Sequence, residues 1–359
     1  GGAASPDPDA IARAAEVLAS PARPTILIGG GAKGAADLIA PIAQRLDAPV
    51  IATANARGVM HAHPLLVPAS PSLKAVRALI AGSDAVLAVG TEFGPTDYDM
   101  YAVGGFPDLQ NLVRIDIDAE QLARRLAEIA IRSDARSALE GLSVAINRSS
   151  PGGRSSGASD VPSVGAERAA SARDAAWQEI GERYRTHVGA LEAIREAMPG
   201  AILVGDSTQA IYAGNLFYDH DRPGGWFNAA TGYGALGYGP PAAIGAALGR
   251  PDAPVVCLSG DGGIQFVLAE LGTAMDEKAK LIFVVWNNNG FQEIECAMVE
   301  AGIAPVGVKP SAPDFCLAAQ AYGMPAERIE SLAGLGDALR CASALEGPCL
   351  IEVVNDPAL

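Results

Sequence analysis

The sequence predicts an α/β protein built from two doubly wound parallel-sheet domains. Three observations predict it. Short, continuously apolar runs alternate with amphipathic helical patterns along most of the chain, as they do where a parallel sheet is covered on both faces. The length of 359 residues fits two domains, and 49% hydrophobic residues supply two ordinary cores. A stretch almost without apolar residues, NRSSPGGRSSGASDVPSVG over 147–165, divides the alternation into two halves.

The elements follow in order. Residues 8–18 carry a helical pattern with Ile11, Ala14, Ala15 and Leu18 on one face. The apolar run 25–28 is a strand stopped by Gly29-Gly30-Gly31, and 36–46 reads as the next helix. A short buried strand over 49–53, a helix over 73–81 and a strand over 85–89 come next, the last running into Gly90-Thr91-Glu92. Residues 112–117 form a fourth strand. After the break, 166–198 reads as largely helical, with strands expected at 201–205, 254–259, 280–286 and 348–354. The expected domains are therefore 1–147 and 166–359, joined by a flexible linker over 148–165.

Composition narrows the function classes. The net charge of −15 argues against nucleic acid or an anionic membrane as a general partner and is compatible with a cationic substrate. No apolar stretch approaches the ~20 residues that span a bilayer, and residues 1–9 carry neither the basic nor the apolar region of a signal peptide. They read as a linker, as if the chain began at a domain junction. The five cysteines form no CxxC pair and are odd in number, so no disulfide framework or zinc site is expected and a cytoplasmic location fits. His61 and His63 stand two apart, yet no further ligand cluster supports a metal there.

The chemistry concentrates between residues 260 and 290. The strand at 254–259 runs into Gly260-Asp261-Gly262-Gly263, and a helix follows with Val267, Leu271, Ala274 and Met275 on one face. The strand at 281–286 then runs into Asn287-Asn288-Asn289-Gly290. Both polar turns lie at the carboxyl ends of neighbouring parallel strands, where open α/β sheets place ligands. Asp261 offers a carboxylate, Asn288 an amide oxygen and Gly290 a backbone carbonyl, all suited to magnesium. Gly262 and Gly263 allow close backbone approach, and their N–H groups open a helix whose positive end favours an anion.

With these residues the sequence resembles the thiamine diphosphate-dependent enzymes of the acetolactate synthase and 2-oxo-acid decarboxylase superfamily. A second match is TGYGALGYGPPAAIG over 231–245, similar to that family's glycine-rich segment under the cofactor. The resemblance implies that Asp261, Asn288 and the Gly290 carbonyl bind Mg2+. It implies that the Gly234 carbonyl meets the aminopyrimidine, and that Leu236, beside Ala235, bends the cofactor into a V. Ser207, Thr208 and Gln209 match a diphosphate-contacting turn, and Phe291 follows the metal loop. Gln292 and Glu293 come next, expected at the substrate end of the pocket, with Glu293 selecting a cationic 2-oxo acid. Residues 8–146 resemble the family's Rossmann-like middle domain and 166–359 its diphosphate-binding domain. Within the first, Gly90-Thr91-Glu92-Phe93-Gly94-Pro95-Thr96-Asp97-Tyr98-Asp99 and Arg114-Ile115-Asp116-Ile117-Asp118 resemble the 5-guanidino-2-oxopentanoate decarboxylase branch and acetolactate synthase large subunit-like proteins.

The chain departs from the family pattern twice. Flavin-binding relatives carry an arginine where this chain has Glu92, so FAD is not expected. The family's pyrimidine-binding domain, with the glutamate that protonates the cofactor, does not match any part of 1–359. The expectation is a chain that is active only with a complementing N-terminal domain or chain, in a homodimer or homotetramer, on a small-molecule 2-oxo acid. Non-oxidative decarboxylation is the leading expectation. An acetolactate synthase-type carboligase and a cofactor-binding fragment without activity are the alternatives. A nicotinamide dehydrogenase is weaker, since no clean GxGxxG follows Ile28.

Overall fold

A computed structural model describes residues 5–98, 106–149 and 163–354. It falls into two compact units, Gly1–Gly181 with Asn215–Gly224, and Glu182–Gly214 with Gly225–Leu359.

The first unit holds β1 (Pro24–Ile28), β2 (Val50–Ala52), β3 (Leu66–Val67), β4 (Ala85–Val89), β5 (Leu112–Asp116) and β6 (Ile129–Arg132). They form one parallel sheet in the order β3-β2-β1-β4-β5-β6, with Ile26 of β1 in register with Val50 and with Leu87. β1 and β4 are buried at every position because helices cover both faces. The helix Pro8–Ala19 buries Ile11, Ala14, Ala15 and Leu18, the face expected of it.

The second unit holds β7 (Ile202–Gly205), β8 (Trp226–Asn228), β9 (Val255–Gly260), β10 (Ile282–Asn287), β11 (Ala326–Ile329) and β12 (Cys349–Val354). These too are parallel, in the order β11-β12-β10-β9-β7-β8. In the first sheet the chain winds outward from β1 in both directions; in the second it starts at β7, adds β8 on one side and β9 and β10 on the other, and β12 then enters between β10 and the edge strand β11. The reversal falls between β1 and β4 in the first unit and between β7 and β9 in the second. Ligands of open α/β sheets bind at such points, outside the carboxyl ends of the strands.

Several boundaries differ from expectation. The helical region expected at 166–198 is two helices, Val164–Glu179 and Gly181–Ala197, broken at Gly181 with φ +76°. The first packs within the first unit. Arg168 donates to the Pro24 carbonyl at 2.9 Å, and the Glu179 carboxylate accepts from the backbone N–H groups of Lys74 and Ala75 at 2.8 and 3.0 Å. The division between units therefore falls at Gly181 rather than after 165, because the residues beyond the serine-rich stretch carry contacts of the first sheet. Residues 150–162 of the expected linker, and Asp99, lie outside the described residues. Residues 148 and 149 end the helix Ala135–Ser149, and 164 and 165 begin the next. The segment Asn215–Gly224 also joins the first unit, where the Tyr218 N–H donates to the Pro68 carbonyl at 3.0 Å.

The helix expected after Gly263 is segmented into Asp261–Ile264, a 3-10 turn Gln265–Val267 and Glu270–Asp276. Leu271 and Ala274 are buried, while Val267 and Met275 are half-buried. His61 pairs with Asp219 at 3.0 Å and His63 bonds Gln44 at 3.0 Å, so the two imidazoles are engaged separately. All five cysteines are free. Among the described residues no helix is long and apolar enough to cross a membrane.

Candidate functional site

Three turns meet at the carboxyl ends of β7, β9 and β10, the switch point of the second sheet. β7 runs into Asp206, Ser207 and Thr208 before the helix Gln209–Leu216. β9 ends at Gly260, and Asp261 opens the next short helix. β10 ends at Asn287, and Asn288 to Phe291 lead into the helix Gln292–Glu300. A cavity of about 80 Å3 lies between them. Its lining brings together Ser207, Thr208, Gln209, Leu236, Gly260, Asp261, Gly262, Gly263, Asn288, Gly290, Phe291, Gln292 and Glu293. Of the residues expected at the site, Gly234 and Ala235 are exposed and outside this lining. The Gly234 carbonyl accepts from the Ser207 hydroxyl at 3.2 Å.

The oxygens in the cavity are arranged as a donor set for a hard cation. Asn288 Oδ1 lies 3.3 Å from Asp261 Oδ1 and 2.7 Å from the Gly290 carbonyl oxygen. Three oxygens facing one another repel unless a cation or proton stands between them. Neighbouring vertices of a magnesium octahedron are about 3 Å apart, because each ligand lies ~2.0–2.1 Å from the ion. Reversing the Asn288 amide would relieve the repulsion, but the hydrogen-bond network opposes it. Asn288 Nδ2 donates to Gln209 Oε1 at 3.0 Å, and Gln209 Nε2 donates to Gln292 Oε1 at 2.9 Å and Glu293 Oε1 at 3.2 Å. An ionised carboxylate only accepts, so Glu293 sets the polarity of this chain and turns Asn288 Oδ1 toward Asp261. Burial pushes the Asp261 carboxyl above its ordinary pKa, opposed by the backbone N–H groups of Gly262, Gly290 and Asn288. A divalent cation would supply the missing counter-charge.

Two glycines are required by space. A Cβ at Gly262 would stand 2.3 Å from the Phe291 ring. At Gly290 it would stand 2.4 Å from the Val308 carbonyl oxygen, and φ there is +147°.

Three residues of this site escape sequence reasoning. Asp206 is fully buried and accepts from the Ser207 N–H at 2.9 Å, the Gly237 N–H at 2.9 Å and the Ser259 hydroxyl at 3.1 Å. It ties the turn after β7, the glycine-rich segment and β9 together, and burial raises its pKa against those bonds. Its sequence signal was an aspartate directly after a strand, a position shared with Asp261. Tyr212 lines the cavity from the first turn of its helix. Arg183 forms an ion pair with Glu293 from another helix, a contact that no local spacing encodes.

The first sheet has its own cleft, about 470 Å3, at the ends of β1, β4 and β5. Gly29, Gly30, Gly31, Gly90, Glu92, Asp97, Asp116 and Asp134 line it, and among the described residues no lysine or arginine does. Arg114 is buried elsewhere, bonded to the carbonyls of Leu122, Arg125 and Thr91 and stacked on Phe93.

Comparison with known proteins agrees with this geometry. Residues 206–353 match the family model described as thiamine pyrophosphate enzyme, C-terminal TPP binding domain, and residues 11–142 match thiamine pyrophosphate enzyme, central domain. The chain is 36% identical over 352 residues to the protein named probable 2-ketoarginine decarboxylase in Pseudomonas aeruginosa, covering 97% of this chain and 61% of that one. It is 26% identical over 335 residues to acetolactate synthase isozyme 3 large subunit of Escherichia coli, covering 87% and 55%. The crystal structure of benzoylformate decarboxylase from Polynucleobacter necessarius shares the fold, with a TM-score of 0.74 and 22% identity over 98% of this chain and 65% of that one. The chain thus spans about 61% of the length of its 2-ketoarginine decarboxylase relative. Two matched domains, and a cavity formed by the strand ends of the second, establish that this chain belongs to the thiamine pyrophosphate enzymes, of which it carries the central and C-terminal cofactor-binding domains.

Proposed function

We propose that the cavity at the ends of β7, β9 and β10 holds thiamine diphosphate through magnesium, and that the protein decarboxylates a 2-oxo acid non-oxidatively, with a guanidino 2-oxo acid as its substrate class. The observation that carries the metal reading is the convergence of the Asp261, Asn288 and Gly290 oxygens at the switch point. The 36% identity to a protein named for 2-ketoarginine supports the substrate class.

In this reading Asp261, Asn288 and the Gly290 carbonyl hold magnesium, which fixes the diphosphate and takes no part in bond breaking. Ser207, Thr208 and Gln209 contact the diphosphate, as do the N–H groups that open the Asp261–Ile264 helix. Leu236 and the Gly234 carbonyl set the shape and position of the pyrimidine half, and Phe291 packs on Gly262 to close the floor. When bound, thiamine diphosphate supplies the nucleophilic carbon and the electron sink for loss of carbon dioxide. Gln292 and Glu293 line the substrate end, where Glu293 meets the cationic head of the acid. The glutamate that activates the pyrimidine comes, in this proposal, from a pyrimidine-binding domain outside these residues, in a dimer or higher oligomer.

Titration of the protein with thiamine diphosphate, with and without magnesium, tests the first part. Saturable binding that needs the metal is expected, and metal-independent binding overturns it. Product analysis of the full assembly with a guanidino 2-oxo acid tests the second, with an aldehyde and carbon dioxide expected. Acetolactate from pyruvate as the faster product would favour carboligation, the reading that the acetolactate synthase match supports.

A further inference from the structure

The geometry points to Arg183 as an internal stand-in for the substrate's guanidinium, occupying Glu293 until a guanidino 2-oxo acid displaces it. This rests on the reading of Glu293 as the cation subsite.

Arg183 stands in the first turn of the helix Gly181–Ala197 and pairs through Nη2 with Glu293 Oε1. The pairing has one oxygen. Gln209 Nε2 donates to that same Oε1 at 3.2 Å, and Glu293 lines the cavity. A guanidinium and a carboxylate bind best through two parallel N–H···O bonds. The internal pair engages Oε1 through Nη2, while Arg183 Nη1 rests 3.8 Å from Cys296 Sγ. A ligand guanidinium entering along the cavity has both oxygens available once Arg183 leaves.

Leaving is easy. The Arg183 side chain is 43% exposed and that of Glu293 29%, so water screens the pair. Glu293 is held more firmly, since it begins the helix Gln292–Glu300 and accepts from Gln209. The mobile partner is therefore the arginine. While seated, Arg183 spares Glu293 an unpaired charge, and it resists a neutral 2-oxo acid, which offers no cation in exchange. The pair thus works as a selectivity gate: a cation replaces a cation at no loss of charge balance, and other head groups cannot.

The test uses the holoenzyme in its full assembly, loaded with thiamine diphosphate and magnesium. The probes are 4-guanidinobutanoate and its neutral twin 4-ureidobutanoate, with binding read by titration calorimetry. Arg183→Gln is expected to bind the guanidino probe about two- to fivefold tighter, the range spanned by an exposed ion pair. Arg183→Lys is expected to fall between it and wild type. The neutral probe leaves Arg183 seated and is expected to gain less, so the ratio of guanidino to ureido affinity is expected to rise in Arg183→Gln; equal gain in both probes, or a larger gain for the neutral one, overturns the gate. Unchanged or weaker guanidino binding in Arg183→Gln also overturns it. Glu293→Gln separates the two layers. If it binds the guanidino probe as wild type does, the cation subsite itself fails. If it loses the probe while Arg183→Gln is indistinguishable from wild type, only the stand-in fails.

Discussion

Asp261 and Asp206 are two aspartates that directly follow strands, both buried and both held by backbone N–H groups. Asp206 accepts in addition from the Ser259 hydroxyl, whereas Asp261 Oδ1 lies 3.3 Å from Asn288 Oδ1. Asp261→Ala is therefore expected to abolish magnesium-dependent cofactor binding while leaving the fold's circular dichroism unchanged, and retention of binding within tenfold of wild type would contradict the metal reading. His187 makes a different prediction. It is 4% exposed, neither ring nitrogen has a hydrogen-bond partner, and burial with Arg183 nearby lowers its pKa to about 4. Because the unfolded chain takes up this proton near pH 6.5 and the folded protein does not, stability is complete above that pH and declines as pH falls toward 4, by on the order of 3 kcal/mol. In His187→Phe the decline between those values should shrink, measured by urea unfolding at several pH values. Asp261 and Asn288 were legible in the sequence because they stand in adjacent turns with a distinctive composition. Asp206 was not, since a single aspartate after a strand is common and its three donors come from distant positions.

Among the elements, the strands that pattern reading found are the interior ones: β1, β2, β4, β5, β7, β9, β10 and β12. Those it passed over, β3, β6, β8 and β11, are the four sheet edges. The physical reason is burial. An interior parallel strand is covered on both faces and reads as an unbroken apolar run, whereas β6 alternates buried and exposed residues and β3 has only two residues. The pattern places the helix Val164–Glu179 with the second sheet, whereas its contacts are with the first, for a related reason. Its hydrophobic face is mostly alanine, which says little about which sheet it covers. The Glu179 carboxylate satisfies the first N–H groups of the helix Lys74–Ala81, where helices leave donors unpaired and favour negative charge. Glu179→Ala is expected to destabilise the protein by about 1 kcal/mol, as loss of a helix cap does, in thermal or urea unfolding. An unchanged midpoint would show that water replaces the carboxylate without loss.

At the scale of the molecule, the chain carries two switch points of the same kind with different chemistry. One has converging metal-type oxygens and helix N–H groups. The other has a larger cleft lined by four carboxylates. A dinucleotide's diphosphate needs donors and positive charge, so the acidic cleft is expected to refuse it, and the purified protein should lack the visible absorption band of a flavin. Hydrogen exchange distinguishes the two directly. Thiamine diphosphate with magnesium should slow amide exchange in residues 206–209, 260–263 and 288–293 and leave 29–31 and 90–92 unchanged; protection of the second set alone would place the cofactor at the wrong sheet. The fold class followed from the alternation of apolar runs and helices, and the equivalence of the two sheets from their shared pattern.

The donors to Asp206 also say something about time. The Gly237 N–H lies 31 positions along the chain and the Ser259 hydroxyl 53. The second bond cannot close until β9 has settled beside β7, and each contact requires the loop it spans to be ordered first. During synthesis the aspartate therefore waits, solvated and ionised, until the ribosome has released the chain past Ser259. The turn after β7 thus takes its final shape only after the strand that carries Ser259, 53 positions further along, has been made and paired.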